Sequence, residues 1–169
     1  KYGGSLENRA RLLLEILAAV RDRVGVDYPV WVKLDSEEFE RPEGITPADA
    51  RQTAILVEAA GADAINSSAY HDTSRGALHS ESNIPHVPGR LVANASLIKN
   101  SVSIPVITSG RLEPDIANRD IGLGKFDFLG MGRKLLADPD LPNKITAGEP
   151  QEVRPCVYCY CCVSQIYLS

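Results

Sequence analysis

From Ile104 to Arg133 the chain reads IPVITSG RLEPDIANRDIGLGK FDFLG MGR. Two short apolar runs, Ile104–Thr108 and Phe126–Leu129, stand on either side of the helical stretch Glu113–Gly122. Each run ends on glycine with an arginine close behind, as Ser109-Gly110-Arg111 and Gly130-Met131-Gly132-Arg133. Short runs of β-branched and aromatic residues bounded by Gly or Pro read as buried strands. Strand, turn, helix and strand in so short a span make a parallel sheet with helical crossovers.

The same grammar extends in both directions. Ser5 caps a helix over Leu6–Val24 that Gly25 stops, and Leu13, Ile16, Leu17 and Val20 give it an apolar stripe. Pro29–Leu34 is a strand, and Asp35–Gly44 a polar loop. Thr46-Pro47 opens a helix that runs to about Ala60 and ends at Gly61. Ala62–Ile65 is the next strand, residues 66–90 a long polar loop holding His71, His79 and His86, and Leu91–Val102 a helix. Loops of that length in a compact domain are usually functional. Arg133–Ala137 is helical, and a Pro-rich tail from Asp138 leads to the cysteines. Strands this apolar suit a sheet covered on both faces. Two α/β architectures fit four such units: half of a (β/α)8 barrel, which needs another half to close, or a doubly wound open sheet that stands alone.

The chain has 169 residues and a formal net charge of −4. No Lys/Arg stripe points to nucleic acid or an anionic membrane, and no apolar run reaches the roughly 20 residues that span a bilayer. The first residues, Lys1-Tyr2-Gly3-Gly4, and the last, Ser169, both read as internal positions of a longer protein. All four cysteines fall between Cys156 and Cys162. A secreted disulfide scaffold spreads its cysteines; crowding them suggests a metal or cluster site in a reducing, cytoplasmic setting.

The glycine turns carry the first chemistry. Small residues let backbone N–H groups approach an anion, a helix N-terminus favours negative charge, and arginine adds a bidentate donor. In barrels the loops after strands 7 and 8 commonly hold phosphate. Gly110, Arg111, Gly132 and Arg133 are therefore a candidate phosphate site; the alternative is that the glycines only make tight turns. Lys33 sits among apolar strand residues, facing either an electron-rich ligand or a salt-bridge partner such as Asp35. Cys156, Cys159 and Cys162, spaced Cys-x-x-Cys-x-x-Cys with Cys161 extra, suit an iron–sulfur centre better than zinc, which usually shows a second ligand pair further off. Unliganded thiols are the remaining alternative.

Several runs together resemble the NADH:flavin oxidoreductase family, the old yellow enzyme superfamily. They are Tyr2-Gly-Gly-Ser-Leu-Glu-Asn-Arg9, Gly110-Arg111, the specific run Gly130–Lys144 (GMGRKLLADPDLPNK) and Arg154-Pro-Cys156. The similarity is to its multidomain branch of 2,4-dienoyl-CoA reductases, trimethylamine dehydrogenases, enoate reductases and bile-acid enoyl reductases. This resemblance implies the C-terminal half, strands 5–8, of an FMN-binding (β/α)8 barrel over residues 1–148. The start of an iron–sulfur segment would then occupy 149–169. It implies that Gly110, Arg111, Gly132 and Arg133 hold the FMN phosphate. Lys33 would stand beside the flavin N1 and O2, where a cation stabilises the anionic reduced ring. Cys156, Cys159 and Cys162 would ligate a [4Fe–4S] cluster whose fourth cysteine lies further on. FAD and NAD(P)H domains and the N-terminal half barrel would be supplied by the rest of the protein.

The implied reaction is reduction of an activated C=C bond in an enone or enoyl substrate, with His71 and Tyr70 as candidate proton donors. For His71 the alternative is a solvated loop residue. Amine dehydrogenation of the trimethylamine dehydrogenase type is a second reading. A catalytically inert barrel fragment, self-associating through an open edge as a homo-oligomer, is a third.

Overall fold

The computed structural model describes residues 1–39, 41–71, 88–159, 161 and 162. Two compact units divide the chain, Lys1–Leu129 and Gly130–Ser169. In order, the elements are α1 (Leu6–Val24), β1 (Trp31–Phe39), α2 (Pro47–Ala59), β2 (Ala64–His71), α3 (Val92–Lys99), β3 (Val106–Ser109), α4 (Pro114–Gly122), β4 (Phe128–Gly130), α5 (Arg133–Ala137) and α6 (Leu141–Thr146). The sheet order is β1-β2-β3-β4, and β1–β2 and β2–β3 pair in parallel.

Local chemistry fixes the helix ends where the sequence places them. Ser5 accepts the Asn8 N–H at the head of α1, and Gly25, at φ 81°, closes it. Thr46 and Asp49 form a reciprocal capping box on α2, with Pro47 at the first turn, where no N–H is needed. The tail from Asp138 holds more structure than its prolines suggest: α6, and a 3-10 turn over Pro150–Glu152.

In the first unit, α1 to α4 share one core with the sheet. Leu17, Ala54, Val57, Ala95, Ile98 and Ala117 pack with Val32, Leu34, Ile65 and Val106. Along β1, Val32, Leu34 and Ser36 alternate into this core. Among the described residues the opposite face is open at the edge strands, where Trp31 is 64% and Phe128 58% exposed, and closed at its middle, where Ser68 and Ile107 are buried. A doubly wound sheet would carry helices there. One helical layer and one bare face is the layering of a barrel wall, whose inner face looks into the barrel.

The stripe on α1 is a second correction. Leu17 is buried and Leu13 and Leu14 pack against the core, but Ile16 and Val20 are 53% and 38% exposed. The face that meets the core runs through Ala10, Leu13, Leu14 and Leu17. A second apolar line, through Leu12, Ile16, Val20 and Val24, stays exposed.

Strands β1 and β2 also outrun their apolar cores. After an irregularity between Asp35 and Glu38, pairing resumes as Glu38↔Tyr70 and Phe39↔His71. Phe39 is buried with Ala69 and Leu91. Part of each expected loop is therefore strand.

One device repeats at the opposite, N-terminal end of the sheet. Asp63, just before β2, accepts the Val30 N–H at 2.7 Å and binds Arg21 at 2.6 Å. Asp127, just before β4, accepts the Val106 N–H at 2.7 Å and binds Lys99 at 2.8 Å. In each case a carboxylate at the start of one strand satisfies a donor at the start of its neighbour. A cation from a helix end neutralises it, so the pair locks strand stagger.

Candidate functional site

Lys33 lies on the bare face of β1, between the core-facing Val32 and Leu34, and is exposed. It is in register with Asn66 of β2, which is in register with Ile107 of β3. Lys33 forms no ion pair among the described residues. The Asp35 salt bridge is not made, because the Asp35 carboxylate accepts the Ser68 hydroxyl instead. Asp35 and Ser68 are the next register pair on the same face toward the C-terminal ends of the strands.

Behind them, the Ser36 hydroxyl donates to the Ser68 carbonyl at 2.6 Å. Asn94 of α3 reaches Glu37 at 2.9 Å and Ser36 at 3.3 Å. Three side-chain oxygens at this end of β2 and β3, Asn66 Oδ1, Ser67 Oγ and Thr108 Oγ1, are buried with no hydrogen-bond partner. Buried polar atoms are ordinarily satisfied, so each orphan is notable; Asn66 shares the face of Lys33, whereas Ser67 and Thr108, in register with each other, lie on the helix-packed side with Leu34 and Val106. Asp35, Asn66 and Ser68 escape a reading of sequence alone. The polar triplet Asn66-Ser67-Ser68 looks like the end of a strand, and only the register with β1 sets Asn66 beside Lys33.

At the end of β3, Gly110 has φ 94° and Arg111 φ 32°. Arginine in the left-handed region is uncommon, and such strain persists mostly where a site requires it. In the second unit, Gly132 precedes α5 without a side-chain cap, and a Cβ built there would meet nothing within 4 Å. The second turn therefore has open space at its glycine, with Arg133 next in the chain. A cation with no ion-pair partner among the described residues, in register with a buried orphan acceptor, together with a strained arginine turn, is a donor set that fits FMN. An ammonium suits the ring's electron-rich edge, and guanidinium suits the phosphate.

The cysteine run is different. Cys156 and Cys162 are half-buried, Cys159 and Cys161 exposed, and none of the four is in a disulfide. Among the described residues no three His, Cys, Asp or Glu side chains converge as a metal site would. Hydrogen bonding from Cys161, its backbone first and its thiol second, lowers the Cys159 pKa, while Cys159 raises that of Cys161. The thiols are the right donors for an iron–sulfur cluster, but as placed they do not fit one.

What the second unit does fix is the approach to the run. The buried Asp138 carboxylate accepts from Lys144 Nζ at 2.8 Å, the Arg154 N–H at 2.8 Å and the Asp140 N–H at 3.1 Å. The Lys144 bond, then the Arg154 bond, hold its pKa below the usual carboxylate range. Tyr158, within Cys156-x-x-Cys159, has φ 53°, and its ring lies 5.1 Å from the Arg133 guanidinium and 5.7 Å from the Lys134 ammonium.

Tyr70 and His71 are the last two residues of β2, not loop residues. His79 and His86 lie outside the described residues. No described helix is long and apolar enough to cross a membrane.

Comparison with known proteins follows the same lines. The NADH:flavin oxidoreductase / NADH oxidase family matches residues 1–152. A metal reductase of Desulforamulus reducens is 41% identical over 161 residues, covering 94% of this chain and 23% of the relative. A cinnamate reductase of Clostridium sporogenes is 36% identical over 179 residues, covering 94% of this chain and 26% of the relative. The structure of 2-naphthoyl-CoA reductase in complex with 2-naphthoyl-CoA superimposes with a TM-score of 0.83 at 34% identity, over 95% of this chain and 24% of that one. The chain thus spans about a quarter of the length of the relatives it matches.

Proposed function

The chain belongs to the NADH:flavin oxidoreductase / NADH oxidase family, and on that premise we propose that it forms part of a flavin-dependent reductase of activated C=C bonds. Residues 1–148 contribute one half of the FMN-binding barrel, and residues 149–169 begin a cluster-binding segment. The observation that carries this reading is Lys33, which has no ion-pair partner among the described residues and stands in register with Asn66, whose side-chain oxygen is buried without a hydrogen-bond partner. The reductase names of the relatives support the reaction class.

When bound, FMN supplies the hydride for an enoate- or enoyl-type double bond. The chain's own residues bind and orient. Lys33 holds the pyrimidine edge of the ring as a point charge, and Gly110, Arg111, Gly132 and Arg133 hold the phosphate. Tyr70 or His71 delivers a proton to the carbon beside the one reduced. Thiolates of Cys156, Cys159 and Cys162 are proposed as iron–sulfur ligands on donor chemistry alone, and no electron step is assigned to them as they are now placed. The other half barrel and the FAD and NAD(P)H domains belong to the rest of the protein. Four cysteines outside any disulfide suit a reducing, cytoplasmic setting.

The test is anaerobic purification of the chain, quantification of FMN, iron and sulfide, and FMN titration of the wild type with K33M and R111A. Quenching of flavin fluorescence that weakens in both variants is the expected result. Binding unchanged in both would overturn these residue assignments. No binding by the wild type would overturn the site as one this chain can form by itself.

A further inference from the structure

The second unit contains a contact that neither the fold nor the flavin reading requires. Tyr158 sits between Cys156 and Cys159 with its backbone in the left-handed region, at φ 53°. That region is costly for a bulky side chain and natural for glycine. The ring rests against two cations of α5, Arg133 at 5.1 Å and Lys134 at 5.7 Å. Both distances are within the range of cation–π attraction.

A second tie joins the same two stretches. Asp138, which caps the end of α5, accepts the Arg154 N–H at 2.8 Å, two residues before Cys156. Beyond the clasp, the chain turns through an unfavourable backbone conformation and lays an aromatic ring against the first residues of α5. A glycine at position 158 would make that turn without strain and without the ring. The ring is therefore the feature that the strained position retains.

We propose that Tyr158 is a positioning residue for Arg133. Its ring is a platform that fixes the Arg133 guanidinium at the head of α5 and joins the cysteine run to the arginine turn. The consequence for cofactor binding rests on the reading of Arg133 as an FMN-phosphate donor; the platform itself does not.

The experiment uses the 169-residue chain with Y158F, Y158L and Y158G. NMR follows the Arg133 and Lys134 side-chain protons, which a nearby ring face shifts upfield. In parallel, inorganic phosphate and then FMN are titrated. The wild type and Y158F should show shifted Arg133 resonances; Y158L and Y158G should not. Affinity for phosphate should fall about two- to fivefold in Y158L and Y158G, the worth of one exposed cation–π contact, and hold in Y158F. Y158G should be at least as stable as Y158L, since glycine relieves the backbone.

Arg133 resonances without an upfield shift in the wild type, or with the same shift in Y158L, would overturn the platform. Equal phosphate affinity in wild type and Y158L would overturn its role in positioning. If the wild type binds neither phosphate nor FMN but its Arg133 shift vanishes in Y158L, the platform stands and the phosphate reading of Arg133 fails.

Discussion

Phe126 and Phe128 are two residues apart and chemically identical, yet Phe126 is 1% and Phe128 58% exposed. Phe126 belongs to the core beneath the helices; Phe128 stands on the bare face of β4. Replacing each by alanine in the isolated chain measures how one-sided the sheet is. A phenylalanine side chain buries roughly 200 Å² when fully enclosed. At its observed exposure Phe128 keeps about 80 Å² from water, worth about 2 kcal/mol at most by area. Phe126 loses nearly its whole area and leaves a cavity, which costs about 3–5 kcal/mol. Urea unfolding at low micromolar concentration gives both values. The one tryptophan, Trp31, is in the same unit and reports its unfolding without mixing in the second. F126A should cost the chain at least 1 kcal/mol more than F128A, a margin well above the error of such a comparison. An F128A penalty equal to or above that of F126A in a monomeric chain would refute the bare face, and with it the barrel-wall reading of the sheet. When another half barrel covers β4, the F128A penalty should rise toward that of F126A.

The remaining predictions concern single ties. Glu58 at the end of α2 accepts from the Ser103 N–H and hydroxyl at 2.7 and 2.5 Å and from the Ile104 N–H at 3.2 Å. The Ser103 hydroxyl, foremost among these, lowers its pKa. E58Q should cost about 1 kcal/mol at pH 7, below the usual range for charged hydrogen bonds because solvent reaches the carboxylate. A lowered carboxylate pKa stabilises the fold above the ordinary value of about 4 and ceases to do so as pH falls through the folded-state value. The gap in urea midpoint between wild type and E58Q should therefore narrow as pH falls below the ordinary carboxylate range; a gap that stays constant down the acid limb would show that charge is not the cause. D138N should raise hydrogen exchange at the Arg154 amide and leave the amides of β1 to β3 unchanged. Unaltered exchange at Arg154 would mean that the carboxylate does not hold the approach to the cysteines.

What the sequence conveys, and where it misleads, follows a physical line. The ends of α1 and α2 are legible because Ser5, Gly25, Thr46 and Asp49 act within four residues of themselves. The Asp63–Val30 and Asp127–Val106 links are not, since they join residues 33 and 21 positions apart. The ends of β1 and β2 fail for a more informative reason. An apolar-run rule stops at Leu34 and Ile65, yet both strands continue through Asp35, Ser36, Asn66, Ser67 and Ser68. Those are the residues nearest Lys33 and the orphan acceptors. Strands of a barrel wall become polar toward the end where a ligand binds, so the rule breaks at the candidate site itself.

The other misreadings share one cause. Ile16 and Val20 on α1, and Trp31 and Phe128 on the sheet, have the sequence signature of buried residues and are exposed in this chain. Hydrophobicity records burial in the state in which the residues were selected. The residues exposed here against that signature lie on the inner face of the wall and on a second line of α1. A closing half barrel would cover the inner face, which is why the same four units read as covered on both faces in sequence and bare on one in structure.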